Sequence, residues 1–227
     1  TVPTDWSDVG AVIVEPIQGR AGVRLPPPGF LRALKRLCRA SGALLIVDEV
    51  LTGIGRCGAW WRAVDDGVVP DLICAGKALG GGLPISACIG DREVMNAWGD
   101  PDKEAIHTGT FYGDPLGAAA ALATLELIER EQWVKAAAER GSVFAQALRS
   151  EALPGVEEVR QVGMLLGMEL RGQMRALKIT RALLERGYLV LPAGIDASVI
   201  QIAPAITIAD AQLEGFVAAL RESLEQQ

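Results

Sequence analysis

From residue 10 onward the apolar positions fall into short runs, each closed by a proline, a glycine or an acid. "AVIVEP" (11 to 16) has the length of a strand and stops at its proline. In "GFLRALKRLCRASG" (29 to 42) the spacing turns helical, placing Phe30, Leu34, Leu37 and Cys38 on one face with Gly42 as the stop. "ALLIVDEV" (43 to 50) is a continuous apolar run ending in two acids, the pattern of a central strand in a parallel sheet. "DLICAGK" (71 to 77) and "PISACIG" (84 to 90) add two short strands. Strand, helix and strand, with Gly, Asp, Glu and Lys in the loops at the strands' carboxyl ends, describe an open α/β sheet whose site lies along that edge.

The second half has a different pattern. Residues 115 to 150, rich in alanine and leucine, predict two long helices broken near Glu131. Beyond Pro154, β-like runs at 163 to 170, 187 to 192 and 198 to 204 alternate with helices at 175 to 187 and 209 to 227. The pattern gives a small α+β domain with a boundary between about 115 and 150. The expected division is 1–118 for the carboxyl part of a large sheet domain, 119–150 for connecting helices and 151–227 for the small domain.

Composition narrows the chemistry. The chain has 227 residues, 50% hydrophobic, with a net charge of −6 and a pI near 5.0. It offers no basic patch for nucleic acid, no Lys/Arg run for a membrane surface and no apolar stretch of the roughly 18 residues a membrane helix needs. The opening "TVPTDWSDVG" is no signal peptide, and the expected location is cytoplasmic. Cys38, Cys57, Cys74 and Cys88 form no C-x-x-C pair, which fits thiols in a reducing compartment better than a disulfide framework or a zinc site. His107 is the only histidine, so multi-histidine metal centres are excluded and no metal site is expected. A Ser-His-Asp triad would have to use His107, and no G-x-S-x-G elbow accompanies it.

Catalysis is left to lysine, carboxylates or a cofactor. Asp48 and Glu49 end the most hydrophobic run, where an unpaired carboxylate is costly, so one of them faces a cation or else serves as a cap or surface ion pair. Lys77, also at a strand end, is the cationic candidate. Pyridoxal phosphate enzymes need such a set: a lysine that holds the aldehyde and a carboxylate on the pyridine nitrogen. "GIGRCG" (53 to 58) matches the dinucleotide fingerprint, but "DEVLT" separates it from the strand and no long helix follows. "GKALGGG" is no phosphate loop, because Lys77 precedes the glycines and Ala78 replaces Ser or Thr. Gly80, Gly81 and Gly82 allow close backbone approach to a ligand, or form a flexible turn.

Taken in order and spacing, "VIVEPIQGRAGVRLPPPGFLRALKRLCRASGALLIVDEV", "TGIGRCG", "VVPDLICAGKALGGGLPISACIG" and "HTGTFYGDPLGAAAALATLELIE" resemble class III pyridoxal-phosphate aminotransferases of fold type I, the family of ornithine, acetylornithine and 4-aminobutyrate aminotransferases. The resemblance runs from about residue 10 to the C-terminus. It implies part of the large sheet domain of that fold followed by its small C-terminal domain, with pyridoxal 5'-phosphate as cofactor. By the same resemblance Lys77 is the Schiff-base lysine and proton shuttle, Asp48 binds the pyridine nitrogen and Val50 packs under the ring. Thr110 would reach the cofactor phosphate of a neighbouring subunit, implying a homodimer with shared sites, and Glu15 would stand near the cofactor. The reaction implied passes an amino group from an omega-amino acid or amine to a keto acid.

Departures from the family pattern are equally specific. Leu51 stands where many members have a glutamine that supports the ring hydroxyl. Arg20 and Gln201 stand where many have a glutamate paired with a carboxylate-binding arginine, so Arg20 is expected either to supply a carboxylate-binding guanidinium from the opposite side or to be solvated surface. His107, Tyr112, Trp60 and Trp61 line a substrate channel, or serve in the core or an interface. Family members run to roughly twice this length, and the phosphate-cradling turn and ring-stacking aromatic lie in the part this sequence does not match. The chain therefore reads as the C-terminal half of an aminotransferase. Two other readings stay open: a catalytically incompetent remnant or interaction protein on the same fold, and a pyridoxal-phosphate racemase or aminomutase of similar sequence.

Overall fold

The structure, a computed structural model, describes residues 5–97 and 109–226. Its internal contacts divide the chain into two units. The first takes residues up to Pro16, Pro27–Ile54 and Trp61–Arg130; the second takes Ile17–Pro26, Gly55–Trp60 and the chain from Glu131. The segments Ile17–Pro26 and Gly55–Trp60 thus group with the C-terminal part, where a division by sequence alone would place them with residues 1–118.

In the first unit β1 (Ala11–Val14), β2 (Leu44–Asp48), β3 (Leu72–Ala75) and β4 (Ala87–Gly90) form one sheet in the order β1-β2-β3-β4. The first three run parallel, as expected, with β2 inside the sheet. β4 returns antiparallel, because residues 76 to 86 are too few for the crossover of about a dozen residues that a parallel return requires. Helix α1 (Phe30–Ser41) makes the β1-to-β2 crossover and ends at Gly42 in the left-handed region at φ 76°. Its buried face is Leu31, Leu34 and Cys38, packed with Leu45 and Val47 of β2. Leu37, expected on that face, is 43% exposed and Leu31 takes its place, since the core-facing stripe follows positions 31, 34 and 38. β2 alternates: Leu45 and Val47 are buried, while Leu44, Ile46 and Asp48 on the other face are partly accessible among the described residues. Two short helices, α2 (Arg62–Asp65) and α3 (Arg92–Asn96), precede the long α4 (Pro115–Arg130). The Asp114 carboxylate accepts from the Gly117 N–H at 2.7 Å, which starts α4.

The second unit contains α5 (Trp133–Ser150), β5 (Val156–Val162), β6 (Leu165–Leu170), α6 (Arg175–Glu185), β7 (Leu191–Ala193), β8 (Val199–Ile202) and α7 (Asp210–Glu225). Gln132, at φ 55°, separates α4 from α5 where the break was expected. The four strands pair antiparallel in the order β5-β6-β8-β7. Leu166, Met168, Leu170, Ile200 and Ile202 meet Phe144, Ile179, Leu183, Phe216 and Leu220 of the helices in one core. The other face of the sheet meets the Ile17–Pro26 segment: a Cβ at Gly167 would lie 2.8 Å from Val23 Cβ, and one at Gly22 would lie 3.0 Å from Val199. Two expectations need correction. The run at 187 to 192 yields a strand only at Leu191–Ala193, and "VEEVRQV" forms β5 without having been foreseen.

Gly141 of α5 passes so close to the turn between β5 and β6 that an added Cβ would overlap the Gly163 carbonyl. Gly141→Ala is therefore expected to destabilise the chain by about 1–3 kcal/mol through overpacking, although alanine is ordinarily favoured in a helix. Urea unfolding decides it; a variant as stable as the parent would contradict this close approach.

Candidate active site

The parallel register sets one residue opposite another at the carboxyl edge of the first sheet. Asp48, last in β2, pairs with Cys74 of β3, and the chain leaves β3 through Gly76 into Lys77. Gly76 is extended, at φ −174°, and an added Cβ there would lie 3.4 Å from Val50 Cγ1, so Val50 packs directly on this backbone. Asp48 Oδ1 accepts from the Val50 N–H at 3.0 Å, which orders the turn out of β2. The structure thus gathers Asp48, Val50 and Lys77 at one edge.

Lys77 opens a single 3₁₀ turn, Lys77–Gly80, with φ 40°. A non-glycine residue in that region costs about 1–3 kcal/mol and persists where its surroundings impose it. Its side chain is exposed and makes no hydrogen bond or ion pair among the described residues. The glycines after it serve packing. A Cβ at Gly80 would meet Ile85 Cγ2 at 2.8 Å, and one at Gly81, which sits at φ 59°, would run into the Thr124 hydroxyl of α4. The helix can approach the lysine turn only because these side chains are missing.

The two acids of "DEV" part company. Glu49 is 1% exposed and turns into the protein, where Oε2 accepts from the Thr52 hydroxyl at 2.5 Å and Oε1 from the Ala63 N–H at 2.7 Å. Burial raises its carboxyl above the ordinary glutamate value, against the opposing effects of these hydrogen bonds and the Arg62 charge. The folded state consequently holds its proton over a pH range in which the unfolded chain has released it. This contribution to stability falls as pH rises from the ordinary glutamate value through the raised one, then levels off. Glu49→Gln, which retains an acceptor for Ala63 and a partner for Thr52, is expected to flatten that part of the stability–pH curve. Denaturant unfolding at a series of pH values reads the slope directly, and an unchanged slope would assign it to another group.

The remaining expected residues are placed as follows. Glu15 is exposed just past β1, whose Val14 pairs with Val47. Thr110 is exposed in the turn before α4. Arg20 and Gln201 belong to the second unit: Arg20 Nη1 donates to the Pro192 carbonyl at 3.2 Å. Gln201 pairs with Gly167 on the sheet face that meets Ile17–Pro26, and is 6% exposed with its Oε1 lacking a hydrogen-bond partner. "GIGRCG" is a turn followed by a helix of four residues. Its Arg56 is half-buried and donates to the Met164 and Pro204 carbonyls at 3.0 and 2.5 Å, which gives the segment a structural role. Trp60 and Trp61 are half-buried, Tyr112 is 67% exposed, and His107 lies outside the described residues. Among the described residues no His/Cys/Asp/Glu group could hold a metal, and no helix is long and apolar enough to cross a membrane.

The aminotransferase class-III family model matches residues 4–224. The acetylornithine aminotransferase of Methanopyrus kandleri is 43% identical over 96% of this chain and 54% of its own length, and that of Mycobacterium tuberculosis 40% over 95% and 52%. Among solved structures, an ornithine aminotransferase from Toxoplasma gondii, described with partial occupancy of pyridoxal phosphate at its active site, superposes with a TM-score of 0.85. It is 34% identical over 95% of this chain and 50% of its own. An acetylornithine aminotransferase from Elizabethkingia anophelis superposes with a TM-score of 0.85 at 33% identity, over 96% and 57%. Aminotransferases of the acetylornithine and ornithine type depend on pyridoxal phosphate, and the neighbours have its fold type I architecture. The chain spans about half the length of the curated relatives it matches. With a family model covering nearly all of it and relatives at 40% identity or more across it, the chain belongs to the class III aminotransferase family.

Proposed function

We propose that this chain supplies the lysine and carboxylate half of a pyridoxal-phosphate transamination site, passing an amino group from an omega-amino donor of the acetylornithine or ornithine kind to a keto acid. The observation that carries the reading is the juxtaposition of Asp48 and Lys77 at adjacent strand ends, with Val50 packed on Gly76 between them. The donor set fits the cofactor's two ends: a primary amine without a competing ion pair among the described residues for the aldehyde, and a carboxylate for the ring nitrogen. Bound there, the cofactor would supply an electron sink for charge developing at the substrate carbon.

The chain's own groups would do the rest. Lys77 would offer its amine to the cofactor's aldehyde and, as a free amine, would move a proton at the donor carbon. Asp48 keeps the ring nitrogen protonated by a charge-assisted hydrogen bond. Val50 supports the ring face, Glu15 stands at the neighbouring strand end, and Thr110, exposed in its turn, reaches the phosphate held by a second copy in a homodimer. Arg20 would offer a forked donor suited to a carboxylate. Arg20→Ala is then expected to raise the keto-acid KM by about 10- to 150-fold, the worth of a charged hydrogen bond. A KM left unchanged would return Arg20 to the solvated surface.

Mixing the cofactor-loaded chain with amino donors tests the reaction. A donor-dependent change in the cofactor's absorbance, reversed by a keto acid, is expected. Product formed without any keto-acid requirement would indicate a racemase or aminomutase instead. The half-length match favours one alternative reading, a chain inert by itself, which would give no cofactor signal at all.

A further inference from the structure

We propose that Cys74 and Cys88 form a cross-strand dithiol, a modification site for low-molecular-weight disulfides that closes to a reversible intrachain bridge beside Asp48.

The register places them together. Cys74 of β3 is directly opposite Cys88 of β4 in an antiparallel pair. The hydrogen bonds identify which type of pair it is. The Asp71 carbonyl accepts from the Asp91 N–H, so the alternation along the two strands makes 71/91 a hydrogen-bonded position and 74/88 a non-hydrogen-bonded one. Independently, the Cys74 carbonyl faces the other way, accepting from the Glu49 N–H beyond β2 at 3.0 Å. Non-hydrogen-bonded partners sit with Cα atoms about 4.5 Å apart and their side chains on one face, at the short end of the separation a disulfide spans, about 4.4–6.8 Å. Cysteine is an uncommon choice for both members of such a pair.

Access and environment give the two thiols different roles. Cys88 is exposed and Cys74 half-buried, on the sheet face that carries Ile46 and Asp48. The Cys74 thiol is pushed up, first by burial, then by the neighbouring Cys88 and the Asp48 charge, which places all three groups within electrostatic reach. Cys38 and Cys57 are buried, at 0% and 5% exposure, and serve as internal controls.

The chemistry balances without any further reactant. The Cys88 thiolate attacks a small disulfide RSSR, giving Cys88–S–S–R and one RSH. The Cys74 thiolate then attacks the Cys88 sulfur, forming Cys74–S–S–Cys88 and releasing the second RSH. Two electrons pass from the paired cysteines to RSSR, and each departing thiolate takes up one cysteine proton. Excess thiol reverses both steps. The bridge would clamp β3 to β4 immediately before the Lys77 turn.

Trypsin places each cysteine on a separate peptide, Cys74 on 63–77 and Cys88 on 78–92. The test treats the whole folded chain with hydroxyethyl disulfide and maps the peptides without reduction. The expected result is a 63–77/78–92 cross-link lost on adding dithiothreitol, with no stable hydroxyethyl adduct and with Cys38 and Cys57 unmodified. Cys74→Ser should instead trap the adduct on Cys88. A parent chain that keeps a stable adduct on Cys88 while Cys74 remains a thiol, or that links through any other cysteine, overturns the proposal. The readout needs neither cofactor nor activity, so its failure is separable from that of the transamination reading.

Discussion

Lys77→Ala is expected to abolish covalent attachment of pyridoxal phosphate to this chain. The aldehyde requires an amine, and Lys77 emerges at the sheet's carboxyl edge with no hydrogen bond or ion pair among the described residues. Of the other described lysines, Lys178 is likewise exposed without a partner but lies on α6 of the second unit, and two are held in ion pairs. Lys35 is tied to Asp71 at 2.7 Å and Lys135 to Glu139 at 3.7 Å. Nonspecific labelling of surface lysines would persist in the variant at the level of the background. Specific labelling would fall to that background, a complete loss instead of a graded one. Lys77→Arg serves as the companion: it keeps the charge but not a nucleophilic amine, so it should fail in the same way. Its folding is guarded by the exposure of the side chain, and unfolding curves of the variants should overlay that of the parent within about 0.5 kcal/mol. Retained specific labelling in Lys77→Ala would move the attachment elsewhere.

The second large effect belongs to Asp48. Asp48→Ala is expected to weaken retention of pyridoxal phosphate by about 10- to 150-fold, corresponding to the roughly 1.5–3 kcal/mol of a hydrogen bond to a charged group. Asp48→Asn should recover little, because an amide cannot hold the ring nitrogen in its protonated form as a carboxylate does. Absorbance titration of each variant with the cofactor measures the change. Asp48 also orders the Val50 turn at 3.0 Å, so a merely structural role would appear as lost stability with cofactor affinity restored by asparagine, which can accept the same bond. Equal affinity in the parent and Asp48→Ala would exclude the carboxylate from the site.

Much of the site could be read from residue order alone. "ALLIVDEV" and "DLICAGK" end two parallel strands, and parallel register necessarily brings their carboxyl ends to one edge, so Asp48 and Lys77 were expected together and lie at adjacent strand ends. The split between Asp48 and Glu49 was not legible: both acids follow the same apolar run, and only the distant Ala63 N–H and the Thr52 hydroxyl decide which one turns inward. The glycine run by itself allows ligand approach or a loose turn, whereas Gly80 and Gly81 are needed by Ile85 and by Thr124 of α4, contacts that no local pattern announces. β5 is not legible in its own residues, because "VEEVRQV" is charged at several positions and its strand form comes from pairing with β6 rather than from its own alternation. Leu37 and Leu31 are one helical step from exchanging places, and the turn of α1 against β2 made the choice. The motif "GIGRCG" holds Arg56 on two carbonyls, a role that depends on residues more than 100 positions away and that no local pattern announces.

Lys77 as the amine of a pyridoxal-phosphate site is open to a direct measurement. The chain is incubated with pyridoxal phosphate, its absorbance recorded, the adduct fixed with borohydride and the tryptic peptides mapped by mass. A modified Lys77 resists trypsin, so the label is expected on a single peptide spanning residues 63–92, in place of the separate 63–77 and 78–92. A folded chain with no label on that peptide, or with label spread evenly over its surface lysines, would contradict it.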